Sequence, residues 1–280
     1  MMKRWLLLLA GMIFSPFASQ AQDRILYKEI DTTRLFLEVH QPPEMSADKT
    51  YPAIIFFYGG GWKRGNLSQF RPHAAYFAQR GMKCFLAEYR VESKHQTTPF
   101  EALTDAKSAM RYLRGHAKEL GIDPNRIVAA GGSAGGHLAA ATALSPAYDD
   151  PADDLGVSCI PNALMLYNPV IDNGPGGFGY KRVGDVYKDF SPIHNIRKGA
   201  PPTLFYLGTE DLLIPVSTAE TYQQIMEKVG SRCELKLYLG EGHGFFNYRC
   251  FDNYRQTIQE ADQFLQSLGY LTADPKVEIK

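Results

Sequence analysis

The sequence predicts an α/β fold, with a mostly parallel central sheet, helices on both faces and an antiparallel N-terminal hairpin. Three observations carry this. From residue 52 onward, strand-like apolar runs alternate with helical patterns, as they do when crossovers link parallel strands. The run Ala53-Ile54-Ile55-Phe56-Phe57 is apolar without alternation, which marks a strand covered on both faces. Residues 25–39 instead alternate apolar and polar positions in two stretches broken at Asp31-Thr32-Thr33, which reads as an edge hairpin. At 280 residues, 45% of them hydrophobic, the chain suits one large core, and residues 22–280 read as a single domain without repeats or linkers.

Residues 1–21 read as a signal peptide. Lys3 and Arg4 precede an apolar run over residues 5–14, Ser15-Pro16 ends it, and Ser19-Gln20-Ala21 supplies small residues for cleavage. That run is shorter than the ~20 apolar residues a membrane span needs. A secreted or periplasmic protein, with no membrane attachment after cleavage, is therefore expected. Thirty basic residues balance thirty acidic ones, so no overall charge points to nucleic acid. Four cysteines, Cys84, Cys159, Cys233 and Cys250, are too sparse for a stapled scaffold, and mostly free, buried thiols are expected. Cys233 and Cys250 flank a predicted strand at opposite ends, beyond the ~5.5 Å Cα separation of a disulfide. No spacing of Cys or His resembles a zinc site, and no metal or organic cofactor is implied.

The elements follow in order. After the hairpin and a Pro42-Pro43 loop comes the central strand over residues 53–57, then Tyr58-Gly59-Gly60-Gly61-Trp62. Residues 67–79 suit a helix stopped by Gly81, 83–89 a strand, and 99–120 a longer helix with Leu103, Ala106, Met110, Leu113 and Ala117 at helical spacing and Gly121 as its stop. Asp123-Pro124 turns the chain into a strand from Ile127 that reaches Gly131-Gly132-Ser133-Ala134-Gly135 and an alanine-rich helix. Residues 162–168 read as a strand, and residues 169–199, with Phe178, Tyr180, Tyr187 and Phe190 but no periodicity, as an irregular lip over a site. A strand over 203–207, a helix over 216–229, a strand over 234–239 and an amphipathic helix over 251–268 complete the chain.

The chemistry lies in the turns. Gly-x-Ser-x-Gly between a strand and a buried helix is a nucleophile elbow, in which a serine sits on a turn too tight for side chains two positions away. Two further groups end predicted strands at the same sheet edge: Asp211 in Gly208-Thr209-Glu210-Asp211, and His243 in Gly240-Glu241-Gly242-His243-Gly244. In this order Ser133 is the candidate nucleophile, His243 its general base and Asp211 the group that orients the imidazole. Amides of Gly60, Gly61 and Ala134 are the candidate oxyanion hole; an ordinary glycine-rich turn is the plainer reading of the first two. Glu210 and Asp172 are weaker candidates for the acid, and His137, one helical turn beyond Ser133, reads as structural.

These motifs resemble the acetyl-esterase and hormone-sensitive-lipase-like branch of the α/β-hydrolases in its small bacterial form. The resemblance rests on Tyr58-Gly59-Gly60-Gly61-Trp62, Ala87-Glu88-Tyr89-Arg90, Gly121-Ile122-Asp123-Pro124-Asn125-Arg126, Gly132-Ser133-Ala134-Gly135-Gly136, residues 208–215 and Gly242-His243-Gly244, and covers nearly all of residues 22–280. It implies a serine carboxylesterase acting through an acyl-enzyme, with Arg90 and Asp105 as a structural pair. The family's oxyanion loop usually opens with histidine, where this chain has Tyr58; the change bears on loop support. Larger members carry an N-terminal helical cap, whereas the stretch ahead of the first central strand here reads as a hairpin, so an open site for short acyl groups is expected. By analogy with exported members, the expected substrates are acetylated carbohydrates such as xylan. Trp62, Phe178 and Tyr180 are the candidate substrate-binding residues, and an aromatic acyl pocket built from them would suit a feruloyl or aryl esterase; an arylformamidase would use the same triad. A non-catalytic hydrolase-like binding protein is the reading from another class.

Overall fold

The computed structural model describes residues 23–280, so the expected signal peptide lies outside the described residues. The hairpin β1 (Asp23–Ile30) and β2 (Thr33–His40) leads to β3 (Tyr51–Phe57), α1 (Arg71–Gln79), β4 (Lys83–Ala87), α2 (Glu92–His95) and α3 (Pro99–Gly115). Then come β5 (Ile122–Gly132), α4 (Ala134–Leu144), β6 (Ala163–Tyr167), the single-turn α5 (Tyr180–Val183) and α6 (Tyr187–Phe190), β7 (Thr203–Gly208), α7 (Val216–Lys228), β8 (Cys233–Tyr238) and α8 (Phe251–Ser267).

All eight strands form one sheet in the order β1-β2-β4-β3-β5-β6-β7-β8. Pairing is antiparallel from β1 through β2 to β4 and parallel from there on. Strands β3, β4, β6 and β7, and β5 from Ile127 onward, are buried almost throughout because helices cover both faces. Side chains of α3, α4 and α7 pack on one face with Ile55, Phe57, Ala129 and Leu166, while α1 and α8 pack on the other with Ile54, Phe56, Val128 and Met165. The alternation along each strand thus serves two cores at once. Its consequence is a rigid edge: every parallel strand delivers its C-terminal loop to the same side.

Three local expectations change. The helix expected over 67–79 is split, because Asn66 caps a single 3₁₀ turn (Leu67–Gln69) and Pro72, lacking an amide donor, begins a new helix. The long helix stops at Gly115 instead of running to Leu120: the His116 amide caps back onto Tyr112, and an irregular turn returns Ile122 N–H to Ala117 O. The lip over residues 169–199 contains α5, α6 and two 3₁₀ turns. All four cysteines are free, three buried and Cys250 half-buried.

Two polar groups are built into the apolar layers. Asp105, fully buried on α3, accepts bonds from the Arg90 amide (3.0 Å), Nε (2.8 Å) and Nη2 (2.8 Å), and pairs with Lys28 at 3.0 Å. It therefore pins the hairpin and the loop after β4 to one helix. On the opposite face Asp262 of α8 meets Tyr76 Oη (2.9 Å) and Arg80 Nη2 (3.0 Å). Burial alone would raise the Asp262 carboxyl, but bonds from Arg80, Gln266 and Tyr76 hold it below its ordinary range.

Because a buried pair that loses one partner leaves the other charge uncompensated, Asp105→Ala should lower unfolding free energy by about 3–5 kcal/mol, read from urea denaturation. The buried histidines set the acid response. Burial pushes His73 and His137 down to about 3, so both are neutral in the fold, while the unfolded chain takes up protons below about pH 6.5. Stability is complete above that value and is lost as pH falls toward 3. By pH 5 each histidine should cost about 2 kcal/mol, and His73→Leu should flatten the fall in urea midpoint between pH 7 and pH 5.

Candidate active site

The C-terminal ends of β3, β5, β6, β7 and β8 meet at one place. Ser133 follows β5 with φ 53° and ψ −118°, a backbone conformation unfavourable for a residue with a Cβ. Neighbouring strands hold it there: Ser133 N–H donates to Tyr167 O (2.9 Å), and its carbonyl accepts from Val170 and His137 amides at 3.1 and 3.0 Å. The turn also requires Gly135, where a Cβ would lie 2.0 Å from Phe57 O. A sharp elbow between β5 and α4 is the result.

The hydroxyl it presents lies 2.9 Å from His243 Nε2, and His243 Nδ1 lies 2.7 Å from Asp211 Oδ2. An ionised carboxylate can only accept, so Nδ1 carries the proton and Nε2 is left to accept from the serine. Asp211 is itself fixed, its Oδ1 accepting from the amides of Leu213 (2.8 Å) and Ile214 (3.1 Å). The acid's alternatives lie elsewhere: Glu210 makes only a backbone contact to Glu241, and Asp172 pairs with His194 at 3.5 Å. His137 is buried against Phe190, its ring stacked at 4.2 Å, with Nε2 3.1 Å from Phe190 O.

The glycine loop after β3 closes over the serine. A Cβ on Gly59 would fall 2.9 Å from Gly132 O and 3.3 Å from Ser133 Cβ, so only glycine allows this approach. Among the described residues the amides of Gly60, Gly61 and Ala134 donate to no protein acceptor, which leaves them free for an oxyanion. Tyr58, at the start of the loop, supports it through a reciprocal pair: Tyr58 Oη donates to Tyr89 O (3.2 Å), Tyr89 Oη donates to Tyr58 O (2.6 Å), and the rings stack at 4.3 Å. Burial pushes the Tyr58 phenol well above its ordinary range and keeps it neutral.

Three amide side chains complete the site without having been singled out from the sequence. Asn168, buried at the end of β6 with φ 36°, places Nδ2 3.3 Å from His243 Nε2 and accepts the Gly244 amide at 3.0 Å. Gln69 accepts the Gly59 amide (2.7 Å) and donates to Asn247 (2.9 Å), which donates to Gly244 O (2.7 Å). An unbroken chain of hydrogen bonds thus joins the glycine loop to the histidine loop. Asn168 had a visible signal, a polar residue before Pro169 closing an apolar strand at the same edge; Gln69 and Asn247 had none.

These groups open into a cleft of about 1520 Å³, walled by Phe178, Tyr180, Arg182, Phe246 and Tyr248. Phe178 and Tyr180 therefore line it. Trp62 does not, which corrects its reading as a substrate-binding residue. It is completely buried, edge-on to His137 at 5.1 Å, and covered by Arg182, whose guanidinium lies 5.1 Å from the indole. With φ 58° at Trp62 the chain turns inward, and the indole becomes the floor on which the lip rests. Arg182 Nη1 also donates to Gly61 O at 2.6 Å, tying lip to glycine loop. Among the described residues no three His, Cys, Asp or Glu side chains gather as a metal site.

Comparison with known proteins fits this geometry. Residues 37–161 match the BD-FAE family model and residues 179–267 the dienelactone hydrolase family. Esterase LipC of Mycobacterium tuberculosis is 31% identical, the match covering 79% of this chain and 59% of that protein; an acetylxylan esterase of Xylanibacter ruminicola is 27% identical, covering 77% and 45%. The chain spans about half the length of the curated relatives it matches. Among solved structures, apo Thermogutta terrifontis esterase 2 superposes with a TM-score of 0.87 at 42% identity, covering 92% of this chain and 97% of that one. The same esterase has been solved phosphorylated by paraoxon and with propionate bound. With identity at that level sustained over nearly the full length of both chains, this protein belongs to the α/β-hydrolase carboxylesterases.

Proposed function

We propose that the protein is an exported serine carboxylesterase that removes short acyl groups, acetyl above all, from carbohydrates such as xylan. The observation that carries the activity is the line from Ser133 Oγ through His243 to Asp211, at 2.9 and 2.7 Å. His243 Nε2 takes the serine proton as Oγ attacks the ester carbonyl, and the negative charge passes to the carbonyl oxygen. Amides of Gly60, Gly61 and Ala134 stabilise that oxyanion, each being worth on the order of 3 kcal/mol. The imidazolium, oriented and stabilised by Asp211, then protonates the departing alcohol, leaving an acyl-serine. Water attacks this ester in turn, His243 takes its proton and passes it to Ser133 Oγ as the acyl–oxygen bond breaks, and the free acid leaves.

Substrate choice rests on the open cleft and on likeness to an acetylxylan esterase. A wide mouth accepts a bulky alcohol side, and propionate in the related Thermogutta esterase supports a small acyl side. Phe178, Tyr180 and Phe246 on the wall favour one second reading, a feruloyl or aryl ester. Acetate release from acetylated xylan against ferulate release from methyl ferulate separates the two. Export rests on the leader-like residues 1–21, and N-terminal sequencing of the protein recovered outside the cytoplasm tests it.

The purified protein should hydrolyse p-nitrophenyl acetate faster than the octanoate, and Ser133→Ala should lower kcat by on the order of 10⁴ or more. Paraoxon should inactivate the protein with a single adduct on Ser133 by mass spectrometry; an adduct elsewhere, or activity in the alanine variant, would sink the assignment. Asn168→Ala, which frees the histidine loop while leaving the triad side chains in place, should lower kcat by about 10- to 100-fold with KM within about twofold.

A further inference from the structure

The walls of the cleft carry an unbalanced charge. Lys63 and Arg64 from the loop after β3, Lys181 and Arg182 from α5, and Arg249 ahead of α8 face it together, against one carboxylate, Glu92. Arg182 is already engaged by Gly61 O and Trp62; burial lowers its hold on the proton, and nearby Glu92 partly counters this, so Glu92 is set against Arg182 and not against the exposed cations. Lys63, Arg64, Lys181 and Arg249 are exposed, and among the described residues their side chains make neither an ion pair nor a hydrogen bond. Away from the cleft Lys28, Arg71, Arg80, Arg90, Lys107 and Arg111 each hold a carboxylate, while lone exposed lysines such as Lys49, Lys118 and Lys228 are scattered over the surface; what sets the cleft apart is that four unpaired cations share its walls with a single carboxylate. In a chain of zero net charge, the walls of this cleft are locally positive.

We propose that the ester this site takes is borne by an acidic carbohydrate, one whose sugar units carry carboxylate or sulfate groups close to the acylated hydroxyl. This rests on the esterase reading above and names the body of its substrate. The four cations come from three separate segments around a cleft of about 1520 Å³, a spread suited to several charges along an extended chain and poorly suited to one small acid. Tyr180 and Tyr248, on the same walls, offer ring faces to sugars between those charges. The reacting bond is untouched by this recognition: the acyl group still passes to Ser133 and then to water, and the acidic sugar leaves with its hydroxyl restored. Cations at the mouth act on ground state and transition state alike, so their effect falls on KM and encounter rate and is weakened by salt.

The test measures acetate release by the full chain from three acetylated oligosaccharides of equal length: galacturonan (carboxylate), a sulfated galactan (sulfate) and neutral xylan. At about 20 mM NaCl one acidic substrate should exceed the neutral one in kcat/KM by about tenfold or more, mainly through KM, and about 0.5 M NaCl should remove most of that margin. Whichever acidic substrate leads identifies the anion. The double variant Lys181→Glu/Arg249→Glu should bring the acidic-to-neutral ratio close to or below one. A neutral substrate equal to or better than both acidic ones at low salt, or a ratio indifferent to salt and to charge reversal, overturns the proposal. Turnover of p-nitrophenyl acetate is followed in parallel. Its absence would refute the esterase reading itself, whereas its presence without an acidic preference refutes only the charge assignment.

Discussion

The structure depends on one strained residue. Ser133 is held at φ 53°, a conformation that costs on the order of 1–3 kcal/mol for a residue with a side chain. It persists because the elbow is fixed from several directions: β6 binds its amide, Val170 and His137 bind its carbonyl, and β3 passes so close that position 135 admits no side chain. A hydroxyl on a helix or in a strand would lie along the surface of its element. On this turn it projects beyond the sheet, in line with an imidazole delivered from β8, three strands away.

Around that elbow, loops without regular secondary structure are joined by polar ties. Gln69 and Asn247 link the glycine loop to the histidine loop, and Asn168 links the histidine loop to the end of β6. Arg182 and Trp62 bind the lip to the glycine loop from the opposite side. The free amides of the glycine loop and the His243 ring are thereby held in a fixed relation to each other, and dipoles fixed in this way can stabilise developing charge without reorganisation. Tyr58 fits this scheme: its reciprocal bonds with Tyr89 anchor the start of the glycine loop.

Charge is used in two ways. Inside, Asp105 holds Lys28 and Arg90 while Asp262 holds Arg80, and each carboxylate thereby fixes one helix to a distant part of the chain, the hairpin in one case and the turn after α1 in the other. At the cleft, four exposed cations, Lys63, Arg64, Lys181 and Arg249, stand without partners. A buried charge is tolerable only when paired, while an exposed one is free to await a ligand. A count of 30 basic and 30 acidic residues conceals that division completely.

The sequence by itself determined the fold class, the hairpin, the order of the strands' turns and the three groups now found in line, because each is a local matter. Unbroken apolar runs mark central strands, and glycines around a serine, an aspartate or a histidine at strand ends mark sharp turns at one sheet edge. Tertiary structure alone decided which side chains face the cleft and which support it. Trp62 reads as a wall residue beside glycines, yet a positive φ turns it inward beneath the lip, and nothing in a one-dimensional pattern reports that dihedral angle. Gln69 and Asn247 lie 178 residues apart and form one bridge, and Lys63, Lys181 and Arg249 converge from three segments. Such contacts exist only once the strands have been brought side by side, since their partners are set by the order of strands in the sheet and not by distance along the chain.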